Sequence, residues 1–186
     1  EVAKLQQLTS LDLGVCEKIT GAGLKELAGL KLQSLLIHDS AKTDLGLKHY
    51  LAAITPPIDL DLTNYGLTNW HITDAGLEHL RDKTELQMLD LKELTGVSDA
   101  GLAHLAGLKK LRYLVIWGRS ITDEGMKHLA GLENLKLLGL DDTLVGNAGL
   151  AHLRGLLQLS DVRLYQTSVT DDGLAAFAGM SELAKL

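Results

Sequence analysis

Only one cysteine occurs in the 186-residue chain, Cys16, so no intrachain disulfide can form and the disulfide-dense pattern of small secreted domains is excluded. That scarcity points toward a reducing compartment. Aromatics are nearly as rare, two Trp, four Tyr and one Phe, so the core must be aliphatic and every aromatic outside a core position stands out. Proline is confined to Pro56 and Pro57, a pair that ends the preceding helix and fixes an extended approach to the next strand. Long apolar runs are absent as well; Asp, Lys and His interrupt the leucines before the ~18 residues needed to cross a bilayer. No membrane segment is expected here. Positive charge is in deficit, 18 Lys and Arg against 24 Asp and Glu, for a net charge of −6 and a pI near 5.6. A surface made to neutralise phosphates needs the opposite balance, so nucleic acid is not an expected partner.

What the chain has in abundance is a repeat. A Gly-Leu or Gly-Met pair recurs at Gly23, Gly46, Gly76, Gly101, Gly125, Gly149 and Gly173, and the last four glycines are spaced 24 residues apart. Each unit of that size is too small to bury its own apolar face and must stack on its neighbours, which makes the molecule a solenoid. The triplets Leu11-Asp12-Leu13, Leu35-Leu36-Ile37, Leu60-Asp61-Leu62, Leu89-Asp90-Leu91, Leu114-Val115-Ile116, Leu138-Gly139-Leu140 and Val162-Arg163-Leu164 each predict a short strand. Its outer residues face the core and its middle one the opposite side. Signals such as Ile121-Thr122-Asp123-Glu124-Gly125-Met126 then predict a helix start, with Thr as N-cap and Asp at the positive end of the dipole. Leucines three apart, as Leu102, Leu105 and Leu108, keep one helical stripe on the core. Gly29, Gly107, Gly131, Gly155 and Gly179 occupy helix-ending positions, where a left-handed backbone is expected.

Strand, turn, helix and turn in about 24 residues allow only parallel strands, with helices on the other side of a continuous sheet. Because helices are wider than strands the stack must curve. The expected fold is α/β, a right-handed curved solenoid with the sheet concave and short helices convex.

The frame L-x-x-L-x-L followed by I-T-D-x-G-L-x-x-L resembles the leucine-rich repeat family across essentially the whole chain. Repeat one, from Leu8 through Leu11, Leu13, Cys16, Ile19 and Thr20 to Gly23 and Leu24, is similar to the cysteine-containing subclass found in F-box substrate receptors. The other repeats resemble shorter bacterial arrays. The resemblance implies recognition, usually of protein, without chemistry, and it implies a structural role for Cys16 in the turn after the strand. Later repeats depart from the subclass, with Leu94 in the cysteine place, and no F-box is visible.

No residue pattern argues for catalysis. Five histidines, His49, His79, His104, His128 and His152, share one repeat position, yet neighbouring helices ~8–10 Å apart cannot converge donors on one ion, which requires bonds of ~2.1 Å. No metal or cofactor is expected. Paired carboxylates at Asp59 and Asp61 or Asp141 and Asp142 have no defined partner, and no Gly-rich phosphate loop joins a strand to a helix. The chain is expected not to be an enzyme.

The residues facing out from the sheet are then the candidates. In the early repeats they are mostly small, polar or acidic, but from Met88 onward they turn apolar: Met88, Tyr113, Val115, Trp117 and Leu137 should be neighbours, with Tyr165 two strands away and Asp90, Asp141 and Arg163 around them. Acidic residues predominate on this face, so a protein partner with a basic surface is expected. The segment from Thr63 to His71 is about five residues longer than its counterpart at Trp117 to Ser120 and carries Tyr65 and Trp70, which makes it either a contact loop or a flap packed on adjoining repeats. The expectation is therefore one domain spanning 1–186, seven repeats and part of an eighth cut from a longer protein, that binds a protein partner on its concave face. The alternatives are a structural spacer with an inert face, or recognition of a peptide, glycan or small ligand near Trp117 and Tyr113.

Overall fold

A computed structural model describes residues 5–55, 59–61, 70–92 and 94–186. Every predicted triplet yields a strand: β1 (Ser10–Leu13), β2 (Ser34–Ile37), β3 (Asp59–Asp61), β4 (Met88–Leu91), β5 (Tyr113–Ile116), β6 (Leu137–Gly139) and β7 (Asp161–Arg163). All pairings between them are parallel and in repeat register, Leu89 opposite Leu114 and Leu114 opposite Leu138. Where one continuous sheet was expected, the described residues form two. Strands pair as β1–β2 and as β3–β4–β5–β6–β7, with a bridge from Leu32 to Ile54 between the second and third repeats.

On the other side lie α1 (Asp44–Ala53), α2 (Asp74–Glu78), α3 (Asp99–Leu102), α4 (Asp123–Leu129) and α5 (Asn147–Ala151), while the corresponding segments Gly23–Leu27 and Asp171–Phe177 wind as 3₁₀ helix. A unit this short leaves room for one or two turns, and a 3₁₀ turn covers more length per residue than an α turn. The leucine stripe does what its spacing predicts: Leu102, Leu105, Leu108, Leu111, Leu114 and Ile116 are wholly enclosed, and the same positions in the flanking repeats continue one core along the stack.

The signature Thr-Asp-x-Gly is explained by contacts between repeats. Asp44 accepts hydrogen bonds from the Thr73 backbone N–H at 2.8 Å and from its Oγ1 at 2.6 Å. Asp74 binds Ser98 in the same way at 2.7 and 2.6 Å, and Asp99 binds Thr122 at 2.8 and 2.6 Å. The same hydroxyls cap their own helices, Ser98 accepting from the Ala100 N–H and Thr122 from the Glu124 N–H. Farther along, Asp123 receives only the Gly146 N–H at 2.7 Å, since glycine brings no hydroxyl. Asn147 keeps both bonds to Thr170 by accepting its N–H at 3.0 Å and donating its own amide to the hydroxyl at 2.8 Å.

This ladder accounts for a glycine two residues after the first residue of each helix that receives such a bond. A Cβ on Gly149 would stand 2.5 Å from Asp123 Oδ1, and methyls on Gly76, Gly101, Gly125 and Gly173 would strike the side-chain oxygen of the preceding repeat's Asp44, Asp74, Asp99 and Asn147. The aspartate is thus placed by a bond to the next repeat, beyond any gain it draws from its own helix dipole.

The helix-ending glycines divide. Gly29 and Gly179 have φ of 83° and 90°, as expected, but Gly107, Gly131 and Gly155 do not adopt positive φ. There the chain continues through right-handed turns, with Leu108, Leu132 and Leu156 donating to Leu105, Leu129 and Leu153. Gly131 serves a different need, since a Cβ would press on Lys109 Nζ at 2.6 Å, and that ammonium bonds the Gly131 carbonyl.

Side chains at two other repeat positions depart from the pattern. Lys42 fills the place taken elsewhere by Ile72, Val97 or Ile121 and is only 1% exposed, its ammonium 2.5 Å from Asp39. At the cysteine place, Thr143 and Thr167 bond the carbonyls of Leu140 and Leu164 at 2.7 and 2.8 Å, while Cys16 is half-buried in its turn. Among the described residues no group of three His, Cys, Asp or Glu is arranged to hold a metal, and no helix is long and apolar enough to cross a membrane.

Two outcomes are expected. Asp74→Ala should cost about 2 kcal/mol by loss of two charge-assisted bonds, and Gly101→Ala about 1–3 kcal/mol by collision with that carboxylate. Because Ala is favoured over Gly in a helix by roughly 1 kcal/mol, Gly101→Ala should become neutral or stabilising once Asp74→Ala is present; urea unfolding of the four proteins measures this change of sign. The second concerns His49, whose pKa is held below 6.5 by desolvation first, then by Lys48, Lys25 and His79. The unfolded chain therefore takes up this proton before the folded one, so stability is full above pH 6.5 and declines as the pH drops below it. Melting curves from about pH 7.5 to about 5.5 should show a smaller loss in His49→Gln than in the parent.

Candidate functional site

The outward side chains of the sheet form rows, because in-register parallel strands put equivalent positions side by side. Met88, Tyr113 and Leu137 are direct partners, and so are Asp90, Val115 and Gly139. The apolar neighbours expected from the sequence are thus brought together. Tyr113 is 39% exposed, while Met88, Val115, Trp117 and Leu137 are half-buried. Gly139 lets Val115 lean across it, its missing Cβ lying 3.2 Å from Val115 Cγ1.

Trp117 is held from one side by Lys92, whose Nζ sits 4.2 Å from the ring centroid, a cation–π contact the sequence reading did not anticipate. Its indole N–H is shielded from solvent without an acceptor among the described residues. Tyr165 is 70% exposed and lies one position beyond Asp141, which accepts its backbone N–H at 2.8 Å. Asp141, Asp161, Arg163, Tyr165 and Lys185 line an open cavity of about 500 Å³ at this end of the sheet.

The acidic residues of this face are engaged locally. Asp12 accepts the Gly14 N–H at 2.8 Å and Asp90 the Lys92 N–H at 2.9 Å, both closing tight turns after their strands. Asp161 lies 3.6 Å from Arg163 Nε and 3.7 Å from Lys185 Nζ. Of the longer loop, Tyr65 lies outside the described residues. Trp70 is 6% exposed and meets Tyr50 edge-on at a centroid distance of 6.0 Å, so it is a packing residue and not part of a contact surface. Burial also raises the Tyr50 pKa.

On the helical side an open cavity of about 450 Å³ is lined by Lys48, Leu51, Glu78, His79, Arg81 and Lys83 among others. Arg81 reaches His104 at 3.1 Å there, linking two steps of the histidine row. A third hollow, of about 360 Å³, lies on the flank where the chain enters the strands, bounded by Gln87, Lys110, Arg112, Asn134, Lys136 and Gln158. Its signal in the sequence was recurrence: these residues fall two and four places before the central core residue of each strand, outside the triplets used to find candidates.

Comparison with known proteins agrees with this arrangement. A leucine-rich repeat family model matches residues 4–28, the first repeat. No curated protein matches the sequence. Among solved structures, internalin C2 of Listeria monocytogenes is similar over 100% of this chain and 73% of its own, with 26% identity and a TM-score of 0.69. A second internalin of that organism is similar over 99% of this chain and 62% of its own, at 22% identity and a TM-score of 0.55. The TLR13–ssRNA13 complex shares the fold over 100% of this chain and 33% of its own, at 14% identity and a TM-score of 0.55. A leucine-rich repeat is thus matched at residues 4–28, and the stacked parallel strands with short helices behind them are the fold that this chain shares with the internalins along its length.

Proposed function

We propose that this chain is a non-enzymatic binding module that takes a protein partner on the outer face of its sheet, the concave side of the stack. The observation that carries the reading is the band of Met88, Tyr113, Val115, Trp117 and Leu137, assembled by strand register and left partly open, with Tyr113 39% exposed. Aromatic side chains in a rigid apolar patch rimmed by charge have the composition of an interface centre. Rigidity matters here because the side chains stand on paired strands, so little freedom remains to be lost on binding. Asp90 and Asp141 border the band and suit a partner that presents cationic groups around an apolar centre. Tyr165 and Arg163 extend the same surface toward the last strand.

Two observations favour a second reading, a spacer with an inert face: Lys92 covers one side of Trp117, and Val115 folds over Gly139, so the sheet partly covers itself. Recognition of a peptide, glycan or small ligand would instead centre on Trp117, yet the three cavities described above are lined by other residues.

Affinity capture with the parent protein and with a Trp117→Ala, Tyr113→Ala double variant, folded by circular dichroism, separates the readings. A specific partner held by the parent and lost at least tenfold by the double variant, a loss of about 1.4 kcal/mol or more, supports the sheet-face site. Equal retention by both proteins, or no partner for either, would count for the spacer.

A further inference from the structure

We propose that the flank of the solenoid carries a second binding surface, a groove that takes an extended acidic peptide segment of a partner protein. It goes beyond the sheet-face reading and stands without it. Two rows of side chains build the groove. Gln87, Arg112 and Lys136 precede β4, β5 and β6, and the residues two places earlier, Glu85, Lys110 and Asn134, with Gln158 after them, form the parallel row. Their adjacency is visible in the bond from Lys110 Nζ to Glu85, at 2.6 and 2.8 Å to the two carboxylate oxygens.

The charges in this groove are of one sign except at its end. Lys110 has Glu85, but Arg112 and Lys136 have no ion-pair partner among the described residues. Two free cations and a third held by a displaceable surface carboxylate, in a protein of net charge −6, make this a positive site on an otherwise acidic molecule. The remaining walls are amides: Gln87 and Gln158 can each bond both the N–H and the C=O of an extended backbone, while Asn134, whose amide nitrogen donates to the Lys109 carbonyl at 2.8 Å, keeps its oxygen to accept an N–H. Four repeats at ~4.8 Å span roughly 14 Å, the length of about four extended residues.

A peptide suits this groove better than a nucleic acid. Affinity for a phosphate chain grows with the number of phosphates neutralised, and here only three cations are present, with Glu85 at one end and a net negative molecule behind them. Carboxylates between the cations and amides along the backbone use every wall.

Fluorescence anisotropy at low salt tests the proposal with a labelled oligoglutamate peptide of about eight residues, a lysine peptide of equal length and a single-stranded oligonucleotide of equal charge. The parent should bind the glutamate peptide and not the lysine peptide. An Arg112→Gln, Lys136→Gln double variant should weaken it by roughly tenfold or more, and Glu85→Gln should tighten it by freeing Lys110. Trp117→Ala should leave it unchanged, so failure of this groove and failure of the sheet-face reading are distinguishable. Absence of binding, indifference to the double variant, or an oligonucleotide held as tightly as the peptide would each overturn the proposal.

Discussion

The bond from the first residue of one helix to the residue that opens the next, in its full form an aspartate on a threonine or serine at α1, α2 and α3, is the constraint on which the stack depends. Hydrophobic burial draws the repeats together without direction, since one leucine layer fits another over a range of offsets. The carboxylate removes that freedom. It fixes the distance and angle between successive helix starts through two short hydrogen bonds, and the strands on the other side inherit the register. The glycine three residues after that threonine or serine is the other half of the same contact, because its missing methyl is the room the carboxylate occupies.

Much of this was legible in the sequence, and the unread part has a physical cause. Strands and the leucine core follow from period alone, so Leu89, Leu114 and Leu138 were placed correctly by counting. The ladder was not read, because Thr122-Asp123 is an equally good local helix start whether or not Asp123 reaches into a neighbour. A contact between repeats has the sequence signature of a contact within one. The same limit produced the glycine error: Gly107 and Gly131 stand where helices end, but the backbone there passes through a right-handed turn, and position alone cannot distinguish that from the left-handed turn at Gly29.

The sheet face shows the reverse case. Register told which side chains would meet, and Met88, Tyr113 and Leu137 do meet, yet it could not tell how far each would be covered. Trp117 is partly screened by Lys92, whose ammonium lies over its ring. Loop length left Trp70 between a contact loop and a packed flap, and it is buried, with the edge of Tyr50 on α1 beside it. Neither contact is periodic. Charge was also coarser than the surface it described: the aspartates of the sheet face accept local N–H groups, while free cations gather on the flank, where no periodic argument had looked.

The division of the ladder between neighbours has a consequence for how such a chain can change length. From α1 to α5 each helix start supplies a side-chain oxygen to the next repeat, so a unit is gained or lost whole, from one glycine to the next. A duplication that runs from one glycine to the next, whatever its length, keeps each of these side-chain oxygens opposite the gap that a glycine leaves. Extra residues are tolerated where the chain crosses from strand to helix start, and the longer stretch between Thr63 and His71 falls there.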